Sequence, residues 1–247
     1  MGDGENPSST FSGGQEASPK EKDVSQRAQE SGEDPVAAES RRQMVQRQLA
    51  ARDITDQRVL DAMRRVPRHL FVPEASRASA YTDGPLPIGH GQTISQPYIV
   101  ALMTQLVQPD ESDIALDVGT GSGYQAAVLS RLCKRVYSIE IVEPLAKEAR
   151  GRLEKLGYEN VTVRHGNGYR GWPEQAPFDV IIVAAAPEKI PEALIEQLKP
   201  GGRLVIPVGT YSQNLMLVEK RPDGSVRERK VVPVAFVPMT GATQEQE

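Results

Sequence analysis

The residues best suited to chemistry lie in Asp117-Val118-Gly119-Thr120-Gly121-Ser122-Gly123. Apolar residues from Ile114 run into three glycines at every second position, and a helical pattern starts at Tyr124. That order reads as a strand, a tight turn and a helix N-terminus, the entry of a nucleotide-type binding fold. Glycines suit such a turn because a side chain would hold a ligand off the backbone, and because such turns often need positive φ. Glu140 ends the next strand signal, where a carboxylate can accept hydrogen bonds from both hydroxyls of a ribose. An ordinary strand-end surface acid would look the same. The dinucleotide fingerprint needs glycine or alanine at its sixth position, where Tyr124 stands, so a dehydrogenase is disfavoured. No Gly-Lys-Ser/Thr follows, so a phosphate-cradling loop is disfavoured too.

The second candidate stretch is residues 83–97, dense in glycine and proline: Asp83-Gly84-Pro85-Leu86-Pro87-Ile88-Gly89-His90-Gly91-Gln92-Thr93-Ile94-Ser95-Gln96-Pro97. It carries more polar specificity than a spacer needs, and a long ordered loop is often functional. On local grounds Ser95, directly before Gln96-Pro97, is a good helix N-cap, a role that leaves it free for another.

The elements that must position these groups follow from the pattern. Residues 1–40 hold nine acids against three bases, −6 of a total of −4, so the remainder carries +2. Rich in Gly, Ser, Pro, Glu and Gln, that stretch is expected to be a disordered acidic tail. Residues 41–110 supply N-terminal helices and the 83–97 loop. Met44, Val45, Gln48 and Leu49 form a weak helical stripe, and Val59, Leu60, Met63 and Val66 a stronger one, capped at Thr55 or Asp56 and stopped by Pro67. Residues 111–247 alternate strand and helix signals. Strands are expected at Arg135–Ile141, Val161–Arg164, Phe178–Ala184 and Arg203–Val208, with helices after Pro144 and over Pro191–Leu198. The almost continuous apolar run at 178–184 predicts a central parallel strand buried on both faces. Leu215–Glu219 and Val231–Val237 flank Asp223-Gly224, so a hairpin closes the sheet. The fold class is therefore α/β: a Rossmann-like, doubly wound, mostly parallel sheet ending in an antiparallel hairpin, with an N-terminal helical segment.

Composition limits the partners. A net charge of −4 argues against a nucleic-acid or membrane-surface role. One cysteine and three histidines leave no disulfide framework and no expected metal site. No apolar run reaches the roughly 18 residues of a membrane span, and no signal peptide is evident. A cytoplasmic, monomeric enzyme is the expectation.

Asp117–Gly123, Glu140 and the later Leu198-Lys199-Pro200-Gly201-Gly202-Arg203-Leu204 resemble, in order, the motifs of class I S-adenosylmethionine-dependent methyltransferases. More specific are Val66-Pro67-Arg68-His69-Leu70-Phe71-Val72-Pro73, Leu86 through Pro97, Ala176-Pro177-Phe178-Asp179 and Phe236-Val237-Pro238. Together these resemble the protein-L-isoaspartate (D-aspartate) O-methyltransferase family over residues 41–240, with Thr93–Pro97 the most diagnostic segment. The resemblance implies S-adenosyl-L-methionine as cofactor, S-adenosyl-L-homocysteine as product, and isoaspartyl-containing proteins and peptides as substrates. It implies methylation of the free isoaspartyl carboxylate, whose ester cyclises to a succinimide that can reopen to aspartate. The cofactor-binding residues it implies are Thr93, Ile94, Ser95, Asp117, Gly119, Thr120, Gly121, Ser122, Gly123, Glu140, Asn167 and Gly168. As the catalytic hydroxyl, Ser95 would hydrogen-bond the substrate carboxylate, and Ile88, His90 and Gln92 would form the substrate loop.

A carboxylate is already ionised at neutral pH, so the absence of a Ser-His-Asp or Cys-His constellation is consistent with that chemistry. His90 then has little proton work to do, and a packing or contact role is expected. His69 and His165 are expected to be structural, Cys133 a small buried residue, and Tyr169 and Trp172 to pack beside the adenine. One departure stands out: the family's Gly-Asp-Gly after the third strand is Gly166-Asn167-Gly168 here. Asparagine keeps one acceptor oxygen but loses the charge, which predicts a weakened donor site. The alternatives are a class I methyltransferase for another acceptor, or a cofactor-binding module without catalysis.

Overall fold

The computed structural model describes residues 1–2 and 34–241, so the expectation for the tail over 3–33 lies outside the described residues. Contacts divide the chain into a unit ending at Ala38 and a second running from Glu39. Helix α1 (Pro35–Met44) begins five residues ahead of the expected boundary at 40 and continues as a π-helical turn to Ala50. Its start is local chemistry. Asp34 Oδ1 accepts a hydrogen bond from the Val36 N–H at 3.0 Å, and Pro35 takes the first helical position.

Helix α2 (Gln57–Arg65) starts where expected, with Asp56 as N-cap accepting from the Arg58 N–H. Val59, Leu60, Ala62 and Met63 are its buried face. Residues 83–97 are not wholly a loop. Strands β1 (Leu86–Gly89) and β2 (Gln92–Ile94) pair as a two-stranded antiparallel hairpin. The turn glycines hid it, since Gly89, His90 and Gly91 all adopt positive φ at its tip. Helix α3 (Pro97–Val107) follows. Its Gln105 accepts from the Thr55 and Asp56 N–H groups and donates to the Asp53 carbonyl, tying α2 to the helix that leaves the hairpin.

The remaining strands are β3 (Ile114–Val118), β4 (Arg135–Glu140), β5 (Val161–His165), β6 (Phe178–Val183), β7 (Leu198–Val208), β8 (Gln213–Lys220) and β9 (Val226–Val234). They form one sheet in the order β5-β4-β3-β6-β7-β8-β9, parallel through β7 and antiparallel beyond it. Helices α4 (Tyr124–Leu129), α5 (Glu143–Lys155) and α6 (Glu192–Glu196) connect them. The expected helix at 191–198 is shorter because β7 begins five residues early, at Leu198. There the Phe178 N–H bonds to the Gln197 carbonyl, and a register shift between Phe178 and Val180 accommodates the Lys199–Gly202 segment.

Leu116, Phe178, Ile181, Val183, Leu194 and Leu204 are all fully enclosed within one apolar cluster around the central strands. Each such side chain contributes about 1.5–3 kcal/mol by leaving water. Strand order reverses between β3 and β6, and a doubly wound sheet opens a crevice at that switch point, outside the carboxyl ends of its strands. No helix among the described residues is long and apolar enough to cross a membrane.

Candidate active site

A cleft of about 900 Å³, open solvent included, occupies that crevice. The segments after β3, β4, β5 and β6 each send residues into it: Gly119–Ser122, Glu140–Val142, Gly168 and Ala184-Ala185. Gln92, Thr93, Ile94 and Ser95 close one side from the hairpin, and residues 237–240 close another. The glycine turn holds its shape for steric reasons. Gly123 has a φ of 89°, and a Cβ there would lie 3.1 Å from Leu153 Cδ1 of α5. It sits behind the turn rather than in the cleft, fixing how closely α4 and α5 pack.

Glu140 is nearly enclosed, and both carboxylate oxygens are engaged. Oε2 accepts from the Gly121 N–H at 2.7 Å and Oε1 from the Val142 N–H at 2.9 Å. Each oxygen retains a further lone pair. This carboxylate therefore binds the glycine turn to the end of β4 while facing the cleft, which a strand-end surface acid would not do.

Asp117 does not line the cleft. It is completely buried beneath the turn, where Oδ2 accepts from the Ser138 hydroxyl at 2.7 Å and Ser138 meets Thr120 Oγ1 at 2.6 Å. Its Oδ1 has no hydrogen-bond partner. Burial, helped by the nearby charge of Glu140 and opposed by Ser138, pushes the carboxyl up to about 7. An orphaned, buried acceptor of this kind calls for a donor or a positive charge. The free lone pairs of Glu140 fit a ribose, as in S-adenosyl-L-methionine, while Asp117 can favour a positive group over the turn only from beneath it, without contact.

Ser95 is not a helix cap. The N-cap of α3 is Gln96, without a side-chain capping bond, and its own amide reaches Asp83 Oδ1 at 2.8 Å. Pro97 at the first helical position already lacks an N–H, so the capping demand is reduced. Ser95 instead borders both the cleft and a second groove. That groove, about 1,020 Å³ with open solvent, runs past Gln96, Ile99 and residues 233–237. Thr93, Ser95, Ala184 and Val237 belong to both.

The other expectations divide. Ile88 lies over the glycine turn, its Cδ1 3.3 Å from where a Gly121 Cβ would stand, and outside the cleft lining. His90 sits at the exposed hairpin tip, 3.8 Å from Glu148 Oε1. Asn167 turns away from the cleft toward Gly241. His69 Nδ1 pairs with the Tyr81 hydroxyl, His165 Nε2 with the Ile141 carbonyl, and Cys133 is buried. Trp172 is a correction: it belongs to the apolar cluster, edge-on to Tyr137 and under the Arg164 guanidinium. The reason is that Gln197 pins the backbone on both sides of Gly171: its Oε1 accepts from the Trp172 N–H and its Nε2 donates to the Arg170 carbonyl. Tyr169 does not line the cleft either; its hydroxyl donates to the Met239 carbonyl. Cleft residues missed from the sequence are Val100, Met103, Tyr124, Gln125, Ala184 and the 237–240 segment. Their signals were the small Ala184-Ala185-Ala186 run after the central strand and the Phe236-Val237-Pro238 motif. No His, Cys, Asp and Glu cluster that could hold a metal occurs among the described residues.

Residues 39–244 match a family model described as Protein-L-isoaspartate(D-aspartate) O-methyltransferase. A protein-L-isoaspartate O-methyltransferase of Opitutus terrae is 60% identical over 202 residues, covering 81% of this chain and 86% of its own. One from a Polaromonas species is 61% identical over 188 residues, 75% of this chain and 89% of its own. Among solved structures, a protein-L-isoaspartate O-methyltransferase aligns with a TM-score of 0.74 at 30% identity, covering 81% of this chain and 66% of the other. A Plasmodium falciparum structure assigned to the same activity and solved with S-adenosyl-L-homocysteine aligns with a TM-score of 0.70 at 26% identity, covering 81% and 98%.

Proposed function

Because the chain belongs to the protein-L-isoaspartate(D-aspartate) O-methyltransferase family, we propose how its two adjoining clefts divide the reaction between donor and acceptor. The enzyme is a repair methyltransferase that esterifies the free carboxylate of isoaspartyl residues in damaged proteins and peptides, with S-adenosyl-L-methionine as donor. When bound, that cofactor supplies a methyl carbon activated by a sulfonium and leaves as S-adenosyl-L-homocysteine.

The cleft over the glycine turn is the donor site. Glu140 would hold ribose hydroxyls on its free lone pairs, and the backbone of Gly119–Ser122 would face the aminoacyl end. Asp117 acts from beneath, through its unpaired Oδ1 and the Ser138–Thr120 chain, to favour a positive charge above the turn. Thr93 and Ile94 close that cleft from the hairpin. The adjoining groove takes the acceptor peptide. Ile99 and Phe236 line it and would offer apolar contact.

The reading rests on one observation: Ser95 and Thr93 border both clefts. In this reading the Ser95 hydroxyl would donate to one acceptor oxygen, leaving the other to meet the methyl group. No base is needed to deprotonate an acceptor that is ionised at neutral pH. The work of the site is to align the two reactants and keep water from the reacting oxygen. Methyl transfer from labelled S-adenosyl-L-methionine to matched isoaspartyl and aspartyl peptides tests it. Labelling confined to the isoaspartyl peptide is expected, and equal labelling of the two would sink the assignment.

A further inference from the structure

The segment after β9 is tied down at several points as it crosses the end of the sheet. The Ala186 N–H donates to the Val237 carbonyl at 2.9 Å, and the Met239 N–H donates back to Ala186 at 2.8 Å. The Tyr169 hydroxyl reaches the Met239 carbonyl at 3.3 Å, and Asn167 Nδ2 donates to the Gly241 carbonyl at 2.9 Å. Asn167 Oδ1 is also used, accepting from the Tyr169 N–H at 3.0 Å. Both ends of the amide are therefore committed, one to shaping its own turn and one to the Gly241 backbone. The packing is close enough that a Cβ on Gly241, whose φ is 104°, would stand 2.8 Å from Asn167 Oδ1 and 2.8 Å from Ile141 Cδ1. Val237, Pro238, Met239 and Thr240 are the wall of the cleft on that side.

We propose that Asn167 is a positioning residue that latches residues 237–241 into place as a wall of the donor cleft. The inference rests on the assignment of this cleft to the donor. It reverses the expectation drawn from the sequence. There, asparagine in place of aspartate looked like a lost charge and a weaker site. In the fold the side chain turns from the cleft, and its amide N–H₂ is the part that matters. A carboxylate at 167 would set an acceptor against the Gly241 carbonyl and lose the bond that holds the strap.

The full chain carrying Asn167→Asp, and separately Gly241→Ala, tests this by two routes. The first removes the donor; the second keeps Asn167 and drives the strap away sterically. Hydrogen exchange without any ligand should rise locally at residues 237–241 in both variants, with thermal midpoints little changed. Calorimetry should show S-adenosyl-L-homocysteine binding weakened about 5- to 10-fold, the scale of one lost hydrogen bond with an uncompensated acceptor. In turnover, the KM for donor should rise by more than the KM for isoaspartyl peptide, since Val237 alone of the strap also borders the acceptor groove. Equal or tighter S-adenosyl-L-homocysteine binding by Asn167→Asp, or exchange that rises across the whole sheet instead of at the strap, overturns the proposal. A wild-type chain that fails to bind S-adenosyl-L-homocysteine overturns the donor assignment instead, while the exchange data still decide whether Asn167 is the latch.

Discussion

The cleft proposed for the donor is walled mainly by the carboxyl ends of four parallel strands, whereas the groove beside it is walled, apart from Ala184, by residues between 85 and 99 and by 233–237, outside the parallel core. The first draws on buried groups: Asp117, Thr120, Ser122 and Glu140 are each less than a tenth exposed. The second is built from partly exposed residues such as Ser95, Gln96 and Ile99. A single small molecule can be enclosed by fixed backbone dipoles and a few polar groups. A protein chain of varied sequence needs an open surface. The contrast predicts that substitutions on the donor side act through burial and electrostatics, and those on the acceptor side through one contact at a time.

The largest expected effect is on pH-dependent stability. Asp117, raised to about 7 by burial, binds its proton more tightly folded than unfolded. Its contribution to stability is therefore fully present below the unfolded value near 3.8 and is lost as pH rises toward 7. The loss amounts to at most about 4 kcal/mol. Urea unfolding of the ligand-free chain between pH 5 and 8 should show this decline, and Asp117→Asn should flatten it. A variant with the wild-type slope would remove Asp117 as its source.

Next in size is Glu140→Ala. It strands the Gly121 and Val142 N–H groups and removes the ribose acceptor, so donor affinity should fall by about 2–4 kcal/mol. The KM for isoaspartyl peptide should barely move. Comparable losses for both substrates in calorimetry and kinetics would erase the boundary between the two regions.

Ser95→Ala should be the mildest and the most selective. Losing one hydrogen bond to a charged acceptor lowers kcat/KM for the peptide about 10- to 100-fold, or roughly 1.5–3 kcal/mol. Donor affinity should stay within about twofold, since that change leaves the hydrogen bonds of Glu140 and the glycine turn intact. Full methylation by a folded Ser95→Ala chain would take this hydroxyl out of the mechanism.

Strand–helix alternation was legible because parallel strands buried on both faces leave long apolar runs, as in Phe178–Val183. The glycine turn was legible because its backbone needs few residue types other than glycine. The hairpin at 86–94 was not, since its strands are four and three residues long and contain or adjoin proline and glycine. The early start of α1 was masked by the polar composition around it, although Asp34-Pro35 is an ordinary helix beginning. Trp172 was misplaced because sequence adjacency to Gly168 says nothing of the side of the sheet its ring will choose.

By itself the sequence determined the α/β architecture, the glycine turn with its carboxylate partner, and the family to which the 86–97 segment points. Those depend on local patterns of apolarity, backbone freedom and side-chain type, which a chain carries residue by residue. Tertiary structure alone decided that Asp117 lies beneath the cleft, that Ser95 is released from capping to face two cavities, and that Asn167 faces Gly241. Each is a matter of which way a side chain points when segments distant in sequence converge, in Asn167's case across 74 residues. Direction and proximity of that kind arise only when the sheet is assembled.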